Sequence, residues 1–217
     1  MKFFLDTANI DDIKKYAAWG VVDGVTTNPS LIAKEDVDLK TRILEICEVI
    51  TGPISAEVLE TTTEGMIKQG REYHSWHKNI YVKLPTTEEG IKALTVLAKE
   101  GVKVNMTLVF NAGQALVVAK AGAKLVSPFI GRLDDIGQDG MELIAEIVQI
   151  YENYNFETEI LVASVRHPRH VIDSAQLGAD VCTMPADILN KLIKHPLTDK
   201  GLENFLADWE KVKNMQK

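Results

Sequence analysis

Residues 80–108 read IYVKLPTTEEGIKALTVLAKEGVKVNMTL. Two short runs rich in β-branched, aromatic or aliphatic side chains, 80–84 and 103–108, enclose a longer stretch, 88–100, with its apolar residues at helical spacing. Gly101 follows the helical stretch and precedes the second run, where a helix end needs a residue tolerant of positive φ. This is one strand-helix-strand unit, and the rest of the chain repeats it. Further strands are predicted at 2–6, 24–28, 54–58, 125–130, 160–165 and 180–183. Further helices are predicted at 10–19, 39–50, 63–74, 111–119, 140–151, 167–177 and 186–194. Gly122 and Gly178 occupy the same kind of junction as Gly101.

Eight strands, each followed by a helix, in 217 residues read as one α/β domain, a (βα)₈ TIM barrel spanning residues 1–217. An additional C-terminal helix is expected over 198–213, with Leu202, Phe205, Leu206 and Trp209 on one stripe. That stripe must cover either its own barrel or a neighbouring subunit, and its spacing does not choose between them.

An apolar content of 46% and a charged content of 25% are ordinary for a folded soluble chain. A net charge of −7 argues against nucleic-acid partners while leaving room for a local basic pocket. The opening Met-Lys-Phe-Phe-Leu-Asp leaves no room for the apolar core of a signal peptide. No apolar run approaches the ~20 residues of a membrane span, so a cytoplasmic protein with no membrane partner is expected. Cys47 and Cys182 lack metal-ligand spacing and read as buried free thiols.

The functional signal lies at the strand ends. Barrel enzymes carry their chemistry at the C-terminal ends of the strands. Here those ends carry Asp6, Thr26 with Asn28, Glu57, Lys83, Asn105 with Thr107, Ser127, and Ser164 with Arg166. The eighth strand ends near Thr183 and offers nothing ionisable. Polar groups on seven consecutive strands must satisfy one another, a ligand or water, because leaving them unpaired is costly.

Lys83 is the sharpest of these, since a lysine is seldom buried without a partner or a task. In the 80–84 run, alternation sends Tyr81 and Lys83 inward together. Enclosure disfavours the ammonium and favours a free amine, which can attack a ketone carbonyl; the protonated Schiff base then acts as an electron sink for breaking the adjacent carbon-carbon bond. Glu57 and Asp6 are placed to move the protons this requires, or to serve as simple counter-charges to Lys83. Pro29 restrains Asn28 to an extended conformation at the rim, where its amide could both donate to and accept from a sugar hydroxyl. Asn105 and Thr107 could hold a keto-sugar hydroxyl or a catalytic water. Arg132 and Arg166, with Ser164, suggest a phosphate site, although Arg132 could instead pair with Asp134 or Asp135.

No metal or other cofactor is expected. His74 with His77 and His167 with His170 lie three apart without an acidic third ligand in register, and read as surface or cap positions. A barrel that merely binds sugar phosphates is the alternative of a different class, and it gives no reason for acids flanking a strand-embedded lysine.

Asp6, the Thr-Thr-Asn-Pro-Ser segment at 26–30, the Lys83 strand and Ser-Pro-Phe-Ile-Gly-Arg at 127–132 together resemble the transaldolase family, in particular its short members, which include the fructose-6-phosphate aldolases. The resemblance covers essentially the whole chain. It implies a (βα)₈ barrel with Lys83 as Schiff-base lysine, Asp6 as acid-base group of the cleavage step, and Glu57 with Thr107 managing the catalytic water. It further implies that Asn28, Asn105 and Ser127 line a dihydroxyacetone site and that Arg132, Ser164 and Arg166 bind phosphate. The aldolase type typically has glutamine, alanine and tyrosine where this chain has Glu57, Ser127 and Phe129, so the resemblance favours transaldolase over fructose-6-phosphate aldolase. Also implied are sugar-phosphate substrates, a place in the pentose phosphate pathway, and a homo-oligomer, pentamer or decamer, with the C-terminal helix reaching a neighbour.

Overall fold

The computed structural model describes residues 1–215. Eight parallel strands, β1 (Lys2–Asp6), β2 (Gly24–Thr26), β3 (Ile54–Glu57), β4 (Ile80–Pro85), β5 (Val104–Val109), β6 (Leu125–Pro128), β7 (Glu159–Val162) and β8 (Val181–Met184), pair in chain order and close into a barrel. β1 is followed by α1 (Ile10–Ala17), and β2 by α2 (Pro29–Ile32) and α3 (Leu39–Val49). α4 (Thr63–Trp76), α5 (Glu88–Lys99) and α6 (Ala112–Lys120) follow β3, β4 and β5. β6 leads into α7 (Ile130–Asp134) and α8 (Gly140–Tyr154), β7 into α9 (Pro168–Leu177), and β8 into α10 (Ala186–Ile193) and α11 (Pro196–Met215).

The expected (βα)₈ TIM barrel is thus present, with its extra C-terminal helix. α2 and α7 are additions. Each is about one turn, too short for a periodic pattern to register. Local chemistry starts the longer helices: Asn9, Asp38, Thr62, Thr87, Asn111 and Asp139 each accept a backbone N–H at a helix N-terminus. Gly101, Gly122 and Gly178 have φ of 79°, 95° and 90°, the left-handed conformation their junctions require.

Strand alternation divides the apolar residues into two layers. Val82, Leu84, Val104 and Met106 face outward and pack with Ile43, Leu94 and Leu97 of the helices. Phe4, Tyr81, Leu125, Leu161 and Val181 face inward and form a separate cluster within the barrel. Gly24 makes room for it, since a Cβ there would lie 2.6 Å from the Phe4 ring. Cys182 is buried and Cys47 half-buried, both as free thiols.

No side chain of α11 is buried. Leu202, Phe205, Leu206 and Trp209 are 59%, 75%, 58% and 56% exposed, so the barrel that carries this helix does not cover its apolar stripe. Among the described residues, no helix is long and apolar enough to cross a membrane.

Candidate active site

Register brings the polar residues together. Asp6 stands beside Thr26, Glu57 beside Lys83, and Lys83 beside Asn105 on neighbouring strands, with side chains pointing to one side of the sheet. They converge at the C-terminal mouth of the barrel. Lys83 is 4% exposed, and its Nζ lies 3.0 Å from Glu57 Oε2 and 3.0 Å from the carbonyl oxygen of Thr27. Both partners are hydrogen-bond acceptors for this amine, and Glu57 is the carboxylate in direct contact with it, placed to exchange protons with it.

Two recesses meet at Lys83. One, of about 210 Å³, is lined by Asp6, Thr26, Ser127, Ser164, Arg166 and Thr183 among others. The other, of about 300 Å³, contains Glu57, Thr107 and Leu108. Asn28, Phe129 and Arg132 border both. The two carboxylates thus approach the amine from different sides.

On the first side, Thr26 Oγ1 donates to Asp6 Oδ1 (2.8 Å) and lies 2.7 Å from Thr183 Oγ1. Since the Thr26 proton goes to Asp6, the Thr183 hydroxyl donates to Thr26, giving a relay that ends on the carboxylate. Burial pushes Asp6 above the ordinary carboxylate range, opposed by the nearby Lys83 charge and by the Thr26 hydrogen bond. On the second side, Thr107 is 1% exposed, and its Oγ1 has no hydrogen-bond partner among the described residues. A buried hydroxyl without a partner is suited to a water or ligand. Leu108, next to it, has φ of 60°, at a register shift between β5 and β6. Such a bulge re-aims adjacent side chains.

Beneath Lys83, Asn105 Nδ2 donates to Ser55 Oγ (3.0 Å), and Ser127 Oγ donates to Asn105 Oδ1 (2.7 Å). This assigns the amide orientation and leaves one Nδ2 proton for another acceptor. Asn28 caps α2, its Oδ1 accepting from the Leu31 N–H (2.9 Å). The dual donor and acceptor role expected for this amide is accordingly narrowed: the Oδ1 is engaged and the Nδ2 protons remain for a ligand.

Arg132, Ser164 and Arg166 lie on the rim of the first recess. The Arg132 guanidinium sits 5.0 Å from the centre of the Phe129 ring, and no carboxylate pairs with it among the described residues. The acids beside Arg132 in sequence go elsewhere. Asp135 pairs with Arg166 at 2.8 Å, and Asp134 approaches His170 Nε2 at 3.0 Å. β7 ends at Val162, two residues before Ser164, which has φ of 61° in the turn that follows. Of the pair expected at surface or cap positions, His167 is the N-cap residue of α9, whereas His170 is 5% exposed and meets Asp134 of α7.

Ser55 and Thr183 are the site residues that sequence reasoning missed. Each is an uncharged hydroxyl in an apolar strand, yet strand alternation places both inward: Ser55 two residues before Glu57, Thr183 two residues after Val181.

The family model described as Transaldolase/Fructose-6-phosphate aldolase matches residues 3–216. A protein of Methanococcus maripaludis named "Probable transaldolase" is 60% identical over 210 residues, covering 97% of this chain and 98% of its own. Another of that name, from Caldicellulosiruptor saccharolyticus, is 59% identical over 213 residues, covering 98% of both. Among solved structures, inosine 5′ monophosphate dehydrogenase from Legionella pneumophila superposes with a TM-score of 0.61, covering 87% of this chain and 58% of that one; at 9% identity this likeness concerns the fold alone.

Proposed function

This chain belongs to the transaldolase/fructose-6-phosphate aldolase family, and we propose that it acts as a transaldolase, moving a dihydroxyacetone unit through a Schiff base on Lys83. The observation that carries this is the buried lysine amine 3.0 Å from Glu57, in a recess that also holds Asp6.

In the proposed cycle, Glu57 takes a proton from Lys83 and the amine adds to the ketone of sedoheptulose 7-phosphate or fructose 6-phosphate. The carbinolamine loses water through proton transfers by Glu57 and a water held by Thr107, leaving a protonated Schiff base. Asp6 removes the proton of the donor's C4 hydroxyl. The C3–C4 bond then breaks: its electron pair moves into the iminium to form an enamine, and the oxygen left behind becomes the carbonyl of the departing aldehyde. Glyceraldehyde 3-phosphate or erythrose 4-phosphate next accepts the enamine carbon, with Asp6 returning its proton to the new hydroxyl, and hydrolysis releases the product. Asn28 and Asn105 hold the hydroxyls of the dihydroxyacetone portion, with Ser127 orienting Asn105. Arg132, Arg166 and Ser164 receive the phosphate as charged or neutral donors.

Phe129 supports transfer over release. An aldolase must protonate its enamine, and a phenyl ring offers no proton. Phe129→Tyr is expected to raise acceptor-independent release of dihydroxyacetone about tenfold, the scale of a modest positioned acid. The check is a coupled assay for free dihydroxyacetone; unchanged release would remove Phe129 from the argument. The reading as a whole is tested by glyceraldehyde 3-phosphate release from fructose 6-phosphate with and without erythrose 4-phosphate. Transaldolase activity requires the acceptor. Equal release without it, together with free dihydroxyacetone, would identify a fructose-6-phosphate aldolase.

A dihydroxyacetone transfer between these sugar phosphates is the chemistry of the non-oxidative pentose phosphate pathway, and the proposal is of a cytoplasmic enzyme of that pathway. The uncovered α11 stripe supports a homo-oligomer, pentamer or decamer, in which each stripe docks on a neighbour, since burying large apolar side chains contributes about 1.5–3 kcal/mol each. Deleting residues 196–217 is expected to yield monomers by light scattering, and an assembly of unchanged mass would refute this role for the helix.

A further inference from the structure

His170 is a buried titratable group with no part in the chemistry above, and both ring nitrogens are engaged. Nδ1 accepts the backbone N–H of Arg166 (3.3 Å), and Nε2 lies 3.0 Å from Asp134 Oδ2. A nitrogen that accepts carries no proton, so the ring is the neutral tautomer with its proton on Nε2, directed at Asp134. Asp134 is itself fixed, its Oδ1 accepting the Gly140 N–H at 2.9 Å.

These contacts join two separate pieces of chain. Asp134 belongs to α7, which also carries Arg132 two residues earlier. Arg166 belongs to the turn after β7, which also carries Ser164. The pieces are packed closely: the Gly131 N–H donates to the Ser164 carbonyl (3.1 Å), and a Cβ on Gly131 would lie 2.1 Å from that oxygen and 2.7 Å from Arg166 Nε. The Ser164 φ of 61° is an uncommon conformation for a residue with a side chain, and it persists where the surroundings hold it.

We propose that His170 is a positioning residue that ties α7 to the Ser164–Arg166 turn, so that Arg132 and Arg166 meet one phosphate group. The inference rests on the reading of these arginines as an anion site. His170 touches no substrate and acts through the main chain of Arg166. Burial, together with the adjacent His167, holds it below the ordinary histidine value against the pull of Asp134 and Asp173, which favours the neutral ring this geometry uses.

The test compares erythrose 4-phosphate with unphosphorylated erythrose as acceptor. In wild type the phosphorylated acceptor has the lower KM. His170→Phe raises that KM about tenfold, as loss of one anchoring hydrogen bond predicts, and leaves the KM for erythrose and both kcat values within about twofold. His170→Asn, whose Oδ1 can replace Nδ1 as acceptor for the Arg166 N–H, restores the KM to within about threefold of wild type. A His170→Phe enzyme that keeps the wild-type preference overturns the proposal while leaving the anion site intact. A wild-type enzyme with no preference overturns the anion site itself. A second measurement needs no variant: ¹⁵N spectra of the histidine-labelled enzyme at neutral pH should show His170 protonated on Nε2 alone, and protonation on Nδ1 would likewise overturn the proposal.

Discussion

Lys83→Met yields a folded barrel in which donor turnover falls by at least about 10⁴-fold, the scale on which loss of a covalent nucleophile is felt. Methionine has nearly the length and volume of the lysine stem, so the packing around Tyr81 and Leu84 survives. What disappears is the amine and its hydrogen bonds to Glu57 Oε2 and Thr27 O. Glu57 is then left without its cationic partner, and Asp6 loses the charge that opposes its upward shift. Both carboxylates line recesses open to solvent at the mouth of the barrel, so circular dichroism and sedimentation should match wild type. A folded variant retaining more than about one per cent of activity would remove Lys83 from the centre of the mechanism.

Asp6→Asn is expected to separate activity from stability in opposite directions. The cleavage step loses its base, which lowers turnover by about 10²–10⁴-fold. Stability at neutral pH should rise. Burial holds Asp6 above the ordinary carboxylate range in the folded protein, so the folded state binds this proton more readily than the unfolded chain does. Stability from such a group is complete below the unfolded value and is lost as pH rises through the higher folded value. At pH 7 the ionised Asp6 is therefore a liability. Asparagine has the same shape, keeps an oxygen to accept from Thr26 Oγ1, and carries no charge to desolvate. Thermal melts should show a higher Tm for Asp6→Asn at pH 7, with the advantage shrinking as the pH falls through the carboxylate range. A variant that is inactive and also less stable at pH 7 would show that attraction to Lys83 outweighs burial.

How legible this enzyme is from its sequence differs between levels. The strand carrying Lys83 was expected at 80–84 and spans Ile80–Pro85, because a strand buried on both faces is a near-continuous apolar run with sharp ends. The run expected at 160–165 ends at Val162 because Ser164 turns the chain with positive φ, which no propensity for serine announces. Positions at the strand ends were legible through alternation, so Asp6, Glu57 and Lys83 were expected in one place. Partnerships between elements were not. Asp134 and Asp135 lie within three residues of Arg132, yet α7 directs them toward His170 and Arg166. The Thr183–Thr26–Asp6 relay and the Ser55–Asn105–Ser127 chain each join three strands through hydroxyls or an amide, and uncharged groups of this kind emerge only when the register is known.

In the proposed cycle the donor becomes covalently attached to Lys83. Wild-type enzyme incubated with fructose 6-phosphate and borohydride should lose activity and gain the mass of one reduced three-carbon or six-carbon adduct per chain, and peptide mapping should place it on the fragment containing Lys83. No adduct, or one on a different lysine with Lys83 unmodified, would contradict the account.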